Sequence, residues 1–144
     1  MRIYLDLCCF NRPFDQQSQL RIRLETEAKL RIQERVVAGE LELAWSYMLD
    51  YENAANPFEE RRTAIATWKL RAMTDSEQTP EVLATAKALA SLGVRAKDAL
   101  HVACAIASGC ACFLTTDDGL LKKLSGYAEI WVTDPTTFVR QTEQ

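Results

Sequence analysis

The chain has 144 residues, 48% hydrophobic and 26% charged, with 17 basic against 20 acidic side chains and a net charge of −3. These totals fit one domain over residues 1–144 with a single core, and they argue against a protein that holds nucleic acid by bulk positive charge alone. Five Gly and four Pro are few, which favours a helix-rich chain over an all-β one.

Residues 2–6, "RIYLD", read as a short buried strand that ends on a carboxylate. A loop with Asn11, Pro13 and Asp15 is expected next, then a long charged helix from Ser18 to Ala38. Leu20, Leu24, Ala28, Ile32 and Val36 are spaced for its buried face, the charges of "RIRLETEAKLRIQER" for a solvated face with i,i+4 pairs, and Gly39 for its stop. "LELAW" (41–45) alternates as a strand does, and Ser46 is placed to cap a short helix carrying Met48, Leu49 and Tyr51. Asn56–Pro57 breaks that helix, and 58–73 is expected to form another with Ala64, Ile65, Trp68 and Met73 inward. Thr79–Pro80–Glu81 opens a helix to Leu92, closed by Gly93. The apolar "AKDALHVACAIAS" (96–108) is a further helix, ended by Gly109. "CACFLTT" (110–116) reads as a buried strand, 118–124 as a short helix, "EIWVT" (129–133) as a last strand, and Pro135 opens a final helical turn. Strands separated by helices predict an α/β fold of three layers, α/β/α, around a central parallel sheet of about four to five short strands.

The five cysteines, Cys8, Cys9, Cys104, Cys110 and Cys112, include no CxxC pair and accompany a single histidine, His101. That pattern fits reduced structural thiols better than zinc ligation or disulfides. No basic segment leads into an apolar signal region and no run is long enough to span a bilayer, so a soluble cytoplasmic protein without membrane partners is expected.

In a parallel sheet, ligands bind outside the carboxyl ends of the strands. Asp6 ends the first strand and Asp117 the "CFLTT" strand; Glu52 follows the second strand by one short helix; Asp98 lies in the first turn of the helix before "CFLTT". Each acid also has an ordinary structural explanation: a turn cap for Asp6, dipole complementarity for Asp98, an Asx turn for Asp117 and a solvated surface charge for Glu52. Together they can meet at one edge. Clustered carboxylates repel unless a cation neutralises them, and hard oxygen donors suit Mg²⁺ or Mn²⁺ rather than zinc.

"IYLD", the Ser46-x-x-Leu49-x-x-Glu52 spacing, "KDALHVACA" around Asp98 and "FLTTDDGLL" around Asp117 resemble, in order and spacing, the PIN domain family. "CFNRPFD" is similar to the loop after the first strand in one bacterial branch of that family. The resemblance implies a metal-dependent ribonuclease and, for a small single-domain member, a VapC-like toxin of a toxin–antitoxin pair. It carries the catalytic acids and metal ligands onto Asp6, Glu52, Asp98 and Asp117, with Thr116 as a hydroxyl ligand to water or phosphate. Asp50 and Asp118 are rivals to Glu52 and Asp117; the spacing from Ser46 and the preceding Thr pair favour the latter. The implied partners are an RNA substrate, an antitoxin protein and a second copy in a homodimer. The implied products carry a 5′-phosphate and a 3′-hydroxyl.

Arg12, Arg95, Lys97, Lys122 and Lys123 lie beside the acids in sequence and are candidates for phosphate contacts, or else plain surface charges. His101, three residues after Asp98, is either a base or ligand or a histidine packed in the core. A receiver-like phosphoacceptor module would want an acidic pair at the first strand and an Asp after the second, and this sequence has neither. A catalytically inactive PIN-fold RNA- or protein-binding subunit is the alternative that keeps the fold.

Overall fold

The computed structural model describes residues 1–143; Gln144, the last residue of the expected domain, lies outside them. The strands are β1 (Arg2–Leu5), β2 (Glu42–Ser46), β3 (Ala72–Ser76), β4 (Cys112–Leu114) and β5 (Trp131–Thr133). All pair in parallel, in the spatial order β3-β2-β1-β4-β5. The helices are α1 (Leu7–Asn11), α2 (Leu20–Val37), α3 (Tyr47–Ala54), α4 (Glu59–Thr67), α5 (Pro80–Ala90), α6 (Ala96–Ala107), α7 (Asp118–Lys123) and α8 (Pro135–Thr142). The result is the expected three-layer α/β/α arrangement. Ile3, Tyr4 and Leu5 of β1 and Cys112, Phe113 and Leu114 of β4 are all buried, so the central strands are covered on both faces and read as unbroken apolar runs.

Three expectations need correction. Residues 58–73 are not one helix: α4 stops at Thr67, a 3₁₀ turn spans Trp68–Arg71, and β3 begins at Ala72. Met73 therefore stands on an edge strand and is 64% exposed. An edge strand covered on one side needs no apolar run, and "AMTDS" offers none. The expected loop after β1 is instead α1 and a 3₁₀ turn at Arg12–Phe14, because Asp6 caps a helix at once.

The third correction concerns α2. Leu20 and Leu24, expected inside, are exposed, while Glu25, Lys29 and Gln33 are buried. The polar stripe i, i+4, i+8 packs inward because Arg12, on the turn after α1, reaches Glu25 with a hydrogen bond of 2.9 Å. A charge can be buried when it is paired.

The chain runs outward from β1 through β2 to β3, then returns to place β4 on the other side of β1. The order reverses between β1 and β4. Connections leaving these two neighbours diverge, which opens a crevice at their carboxyl ends. Asp6 and Thr115 sit there: the Asp6 amide donates to the Leu114 carbonyl at 2.9 Å, and the Thr115 amide to the Thr133 carbonyl at 3.0 Å.

Candidate active site

Asp6 is buried at the tip of β1. Its Oδ1 accepts the Leu7 amide at 2.9 Å and its Oδ2 accepts the Thr115 hydroxyl at 2.9 Å. The same Thr115 oxygen accepts the Asp117 amide at 3.2 Å, so one hydroxyl joins the two strand ends. Cys8 lies beside them: its thiol is 3.6 Å from Asp6 Oδ2, and its sulfur accepts the Thr116 amide at 3.3 Å.

Asp117 caps α7 through the Leu120 amide at 3.2 Å. Gly119 permits this, since a Cβ there would sit 3.2 Å from Asp117 Oδ1. Asp98, in the first turn of α6, faces Asp117 across a recess of about 10 Å³, which Arg95 and Lys123 also line. That volume suits one water-sized occupant. The helix N-terminus favours a charged Asp98, yet its carboxyl is held above its usual range. Burial is the main cause, and the fields of Asp6 and Asp117 add to it.

Glu52, on α3, accepts from Nε2 of His101. His101 Nδ1 meets the Tyr4 hydroxyl at 2.6 Å, and that hydroxyl meets Ser46 Oγ at 2.6 Å. Ser46 Oγ in turn accepts the Leu49 amide at 3.3 Å and so caps α3. The buried chain Ser46–Tyr4–His101 thus fixes the orientation of Glu52. Burial alone would pull the imidazole down, but the Glu52 hydrogen bond and the fields of Asp6, Glu52 and Asp98 outweigh it and raise it. Glu52 is lowered, first by that hydrogen bond. His101 is therefore a positioning group packed in the core and bonded to an acid of the crevice.

The rivals face elsewhere. Asp50 accepts from Trp45 Nε1 at 2.9 Å and from Lys69 at 3.0 Å; Asp118 lies against Arg21 at 2.7 Å. Arg12 is bound to Asp15 at 2.8 Å and to Glu25 at 2.9 Å, which leaves it unsuited to a phosphate. Thr116, expected to lend a hydroxyl, uses its backbone instead: its amide meets Cys8, and its carbonyl accepts from Arg21 at 3.0 Å. The hydroxyl at the acids belongs to Thr115, whose side chain points to the opposite face from that of its neighbour. Neither Thr115 nor Cys8 is expected at the acids from the sequence; the alternation of side chains after Leu114 is the available signal for Thr115.

Among the described residues, no three His, Cys, Asp or Glu side chains converge closely enough to ligate one ion directly. The full gathering of Asp6, Glu52, Asp98 and Asp117 into one ligand shell is thus not formed. Glu52 turns to His101 of α6, and Asp6 to Leu7 and to Thr115 after β4, so each carboxylate finds its own donors. The donor chemistry still fits a hard divalent ion. Mg²⁺ commonly keeps several waters and takes one or two carboxylates, and Asp98 and Asp117 offer that pair across the recess, with no ion pair to either among the described residues.

Fold and site together define a parallel α/β protein with an acid-lined crevice where its strand order reverses. The family model for the PIN domain matches residues 3–126, and the chain belongs to the PIN domain family. PIN domains are in general nucleases that use divalent metal ions. Among solved structures, the fold is similar to a chain in the crystal structure of VapBC2 from Rickettsia felis bound to a DNA fragment from their promoter. The TM-score is 0.60 and the identity 14%, over 93% of this chain and 98% of that one. No curated protein matches the chain. Among the described residues, no helix is long and apolar enough to cross a membrane.

Proposed function

We propose that this PIN domain is an Mg²⁺- or Mn²⁺-dependent endoribonuclease and the toxin of a type II toxin–antitoxin pair. The observation that carries the reading is Asp98, whose carboxyl is raised by burial and by Asp6 and Asp117 and which has no ion pair among the described residues. Carboxylates held together this way favour a positive partner. The fold's likeness to a VapBC2 chain supports an antitoxin as the protein partner.

A bound divalent ion at Asp98 and Asp117 would supply Lewis acidity against a phosphodiester oxygen. The chain's own residues do the rest. Thr115 holds Asp6 and the Asp117 turn in register across β1 and β4. Arg95 and Lys123, at the rim of the recess, hold the RNA backbone against the acids. Water adds to phosphorus, the bond to the 3′ oxygen breaks, and that oxygen takes a proton, which leaves a 5′-phosphate and a 3′-hydroxyl. A carboxylate of the crevice that does not hold the ion takes the proton released by the water. Glu52, fixed by His101, orients that water.

The test is RNA cleavage with Mg²⁺ or Mn²⁺ added, with end-group analysis. Cleavage that stops with chelator and leaves 5′-phosphate ends is expected. Products ending in 2′,3′-cyclic phosphate, or cutting indifferent to chelator, overturn the reading.

A further inference from the structure

Away from the carboxylate edge, α1, α2 and α4 enclose a second site with the opposite need. Lys29, in the middle of α2, is 4% exposed. Its i−4 neighbour Glu25 is the natural helical partner, but Glu25 is bound to Arg12 at 2.9 Å and to Arg21 at 3.3 Å. Among the described residues Lys29 makes no ion pair; its ammonium instead lies 5.4 Å from the Phe10 ring centroid and 5.9 Å from that of Trp68. Ring faces offset part of the loss of water around a cation, but they supply no acceptor. Burial accordingly lowers the ammonium to about 8, against a small opposing effect of the Cys9 thiol on α1.

One turn further along α2, Gln33 has a buried Nε2 with no hydrogen-bond partner among the described residues. Lys29 and Gln33 line the same cavity of about 150 Å³, whose remaining walls include Phe10, Phe14, Ile65 and Trp68. Buried donors left without acceptors in a native fold call for an explanation. Here Gln33 Nε2 is such a donor, the Lys29 ammonium on the same wall has no hydrogen-bond or ion-pair partner among the described residues, and the other walls are apolar. A cavity of about this size with apolar walls has room for one benzene ring. Two donors beside it match the two oxygens of a carboxylate, and a charge-assisted hydrogen bond to a buried ammonium is among the stronger kinds.

We propose that the pocket between α1, α2 and α4 is a binding site for a small aromatic carboxylic acid, its ring against the apolar walls that include Phe14 and Ile65 and its carboxylate on Lys29 and Gln33. The site is independent of the nuclease reading.

Titration calorimetry of the full chain with sodium benzoate tests it, with toluene and acetate as probes of the ring alone and the anion alone. Benzoate is expected to bind at least about tenfold more tightly than either. Lys29→Met should remove at least about tenfold of the benzoate affinity and leave toluene binding in place; Gln33→Leu should weaken benzoate by a smaller factor. Each variant is checked for folding by circular dichroism, and Gln33→Leu serves if Lys29→Met fails to fold. Benzoate binding no tighter than toluene or acetate, or affinity unchanged in both variants, overturns the proposal.

Discussion

Around the start of α2, Asp15, Glu25 and Asp118 each lie against an arginine: Arg12 and Arg61 for Asp15, Arg12 and Arg21 for Glu25, and Arg21 for Asp118. At the carboxyl edge of β1 and β4, Asp6, Asp98 and Asp117 have no such partner among the described residues, and Asp98 is pushed upward, chiefly by burial and then by the other two acids. The two groups are close in the chain at one point, since Asp117 and Asp118 are neighbours. What separates them is whether the fold supplies the counter-charge. Where it does, the acid fastens elements together; where it withholds it, the acid is available to a cation from outside.

Exchanging charges in the two regions should therefore have different consequences. The largest effect is expected from Asp6→Asn: loss of RNA cleavage by about a thousandfold, with the folded structure retained by circular dichroism. Glu25→Gln should do the reverse. It leaves Arg12 facing a half-neutralised site and lowers unfolding free energy by roughly 3 kcal/mol, the scale for breaking a buried pair, while cleavage by the folded fraction is unchanged. Denaturant titration beside an activity assay separates the two; a Glu25 variant that lost activity at full folding would erase the distinction.

Lys29 sharpens the contrast from the cationic side, as a buried charge that no carboxylate of the described residues meets. Its folded value of about 8 lies below its ordinary 10.5, so the unfolded chain binds the proton more strongly between those values. Wild-type stability should then rise with pH across that window. Lys29→Met should be the more stable protein near pH 7, by up to about 3 kcal/mol, with the gap closing by about pH 10.5. A gap that stays flat from pH 7 to 10.5 would show that Lys29 titrates normally.

The smallest effect on stability is expected from Asp98→Asn. The folded state holds the Asp98 carboxyl above its usual range, so its charged form opposes folding once the pH passes the ordinary carboxylate range. The metal-free variant should melt at a higher temperature than wild type near neutral pH, and the advantage should disappear in acid. Mn²⁺ should raise the wild-type melting temperature and leave the variant unmoved. Equal responses to Mn²⁺ would mean that Asp98 holds no ion.

Much of this was legible in one dimension. The apolar runs of β1 and β4, the caps at Ser46 and Thr79 and the stops at Gly39, Gly93 and Gly109 are local features, and each appears where the residues put it. Four of the strands and the layer arrangement followed from them. The edge strand β3 did not, because a strand with one covered side leaves no apolar run to read. The buried stripe of α2 did not either, because Glu25, Lys29 and Gln33 look solvated until Arg12 and the aromatic walls are in place.

By itself the sequence determined the residue types at each element end: acids after β1 and before α7, an acid in the first turn of α6, and the Ser-to-Glu spacing across α3. Only the tertiary structure decided which of them meet, that Thr115 rather than Thr116 joins Asp6 to Asp117, and that Glu52 rests on His101. The reason is range. Caps, periodicity and turns act within a few residues along the chain, whereas the placement of charge beside charge is fixed by sheet order and by packing between segments about a hundred residues apart.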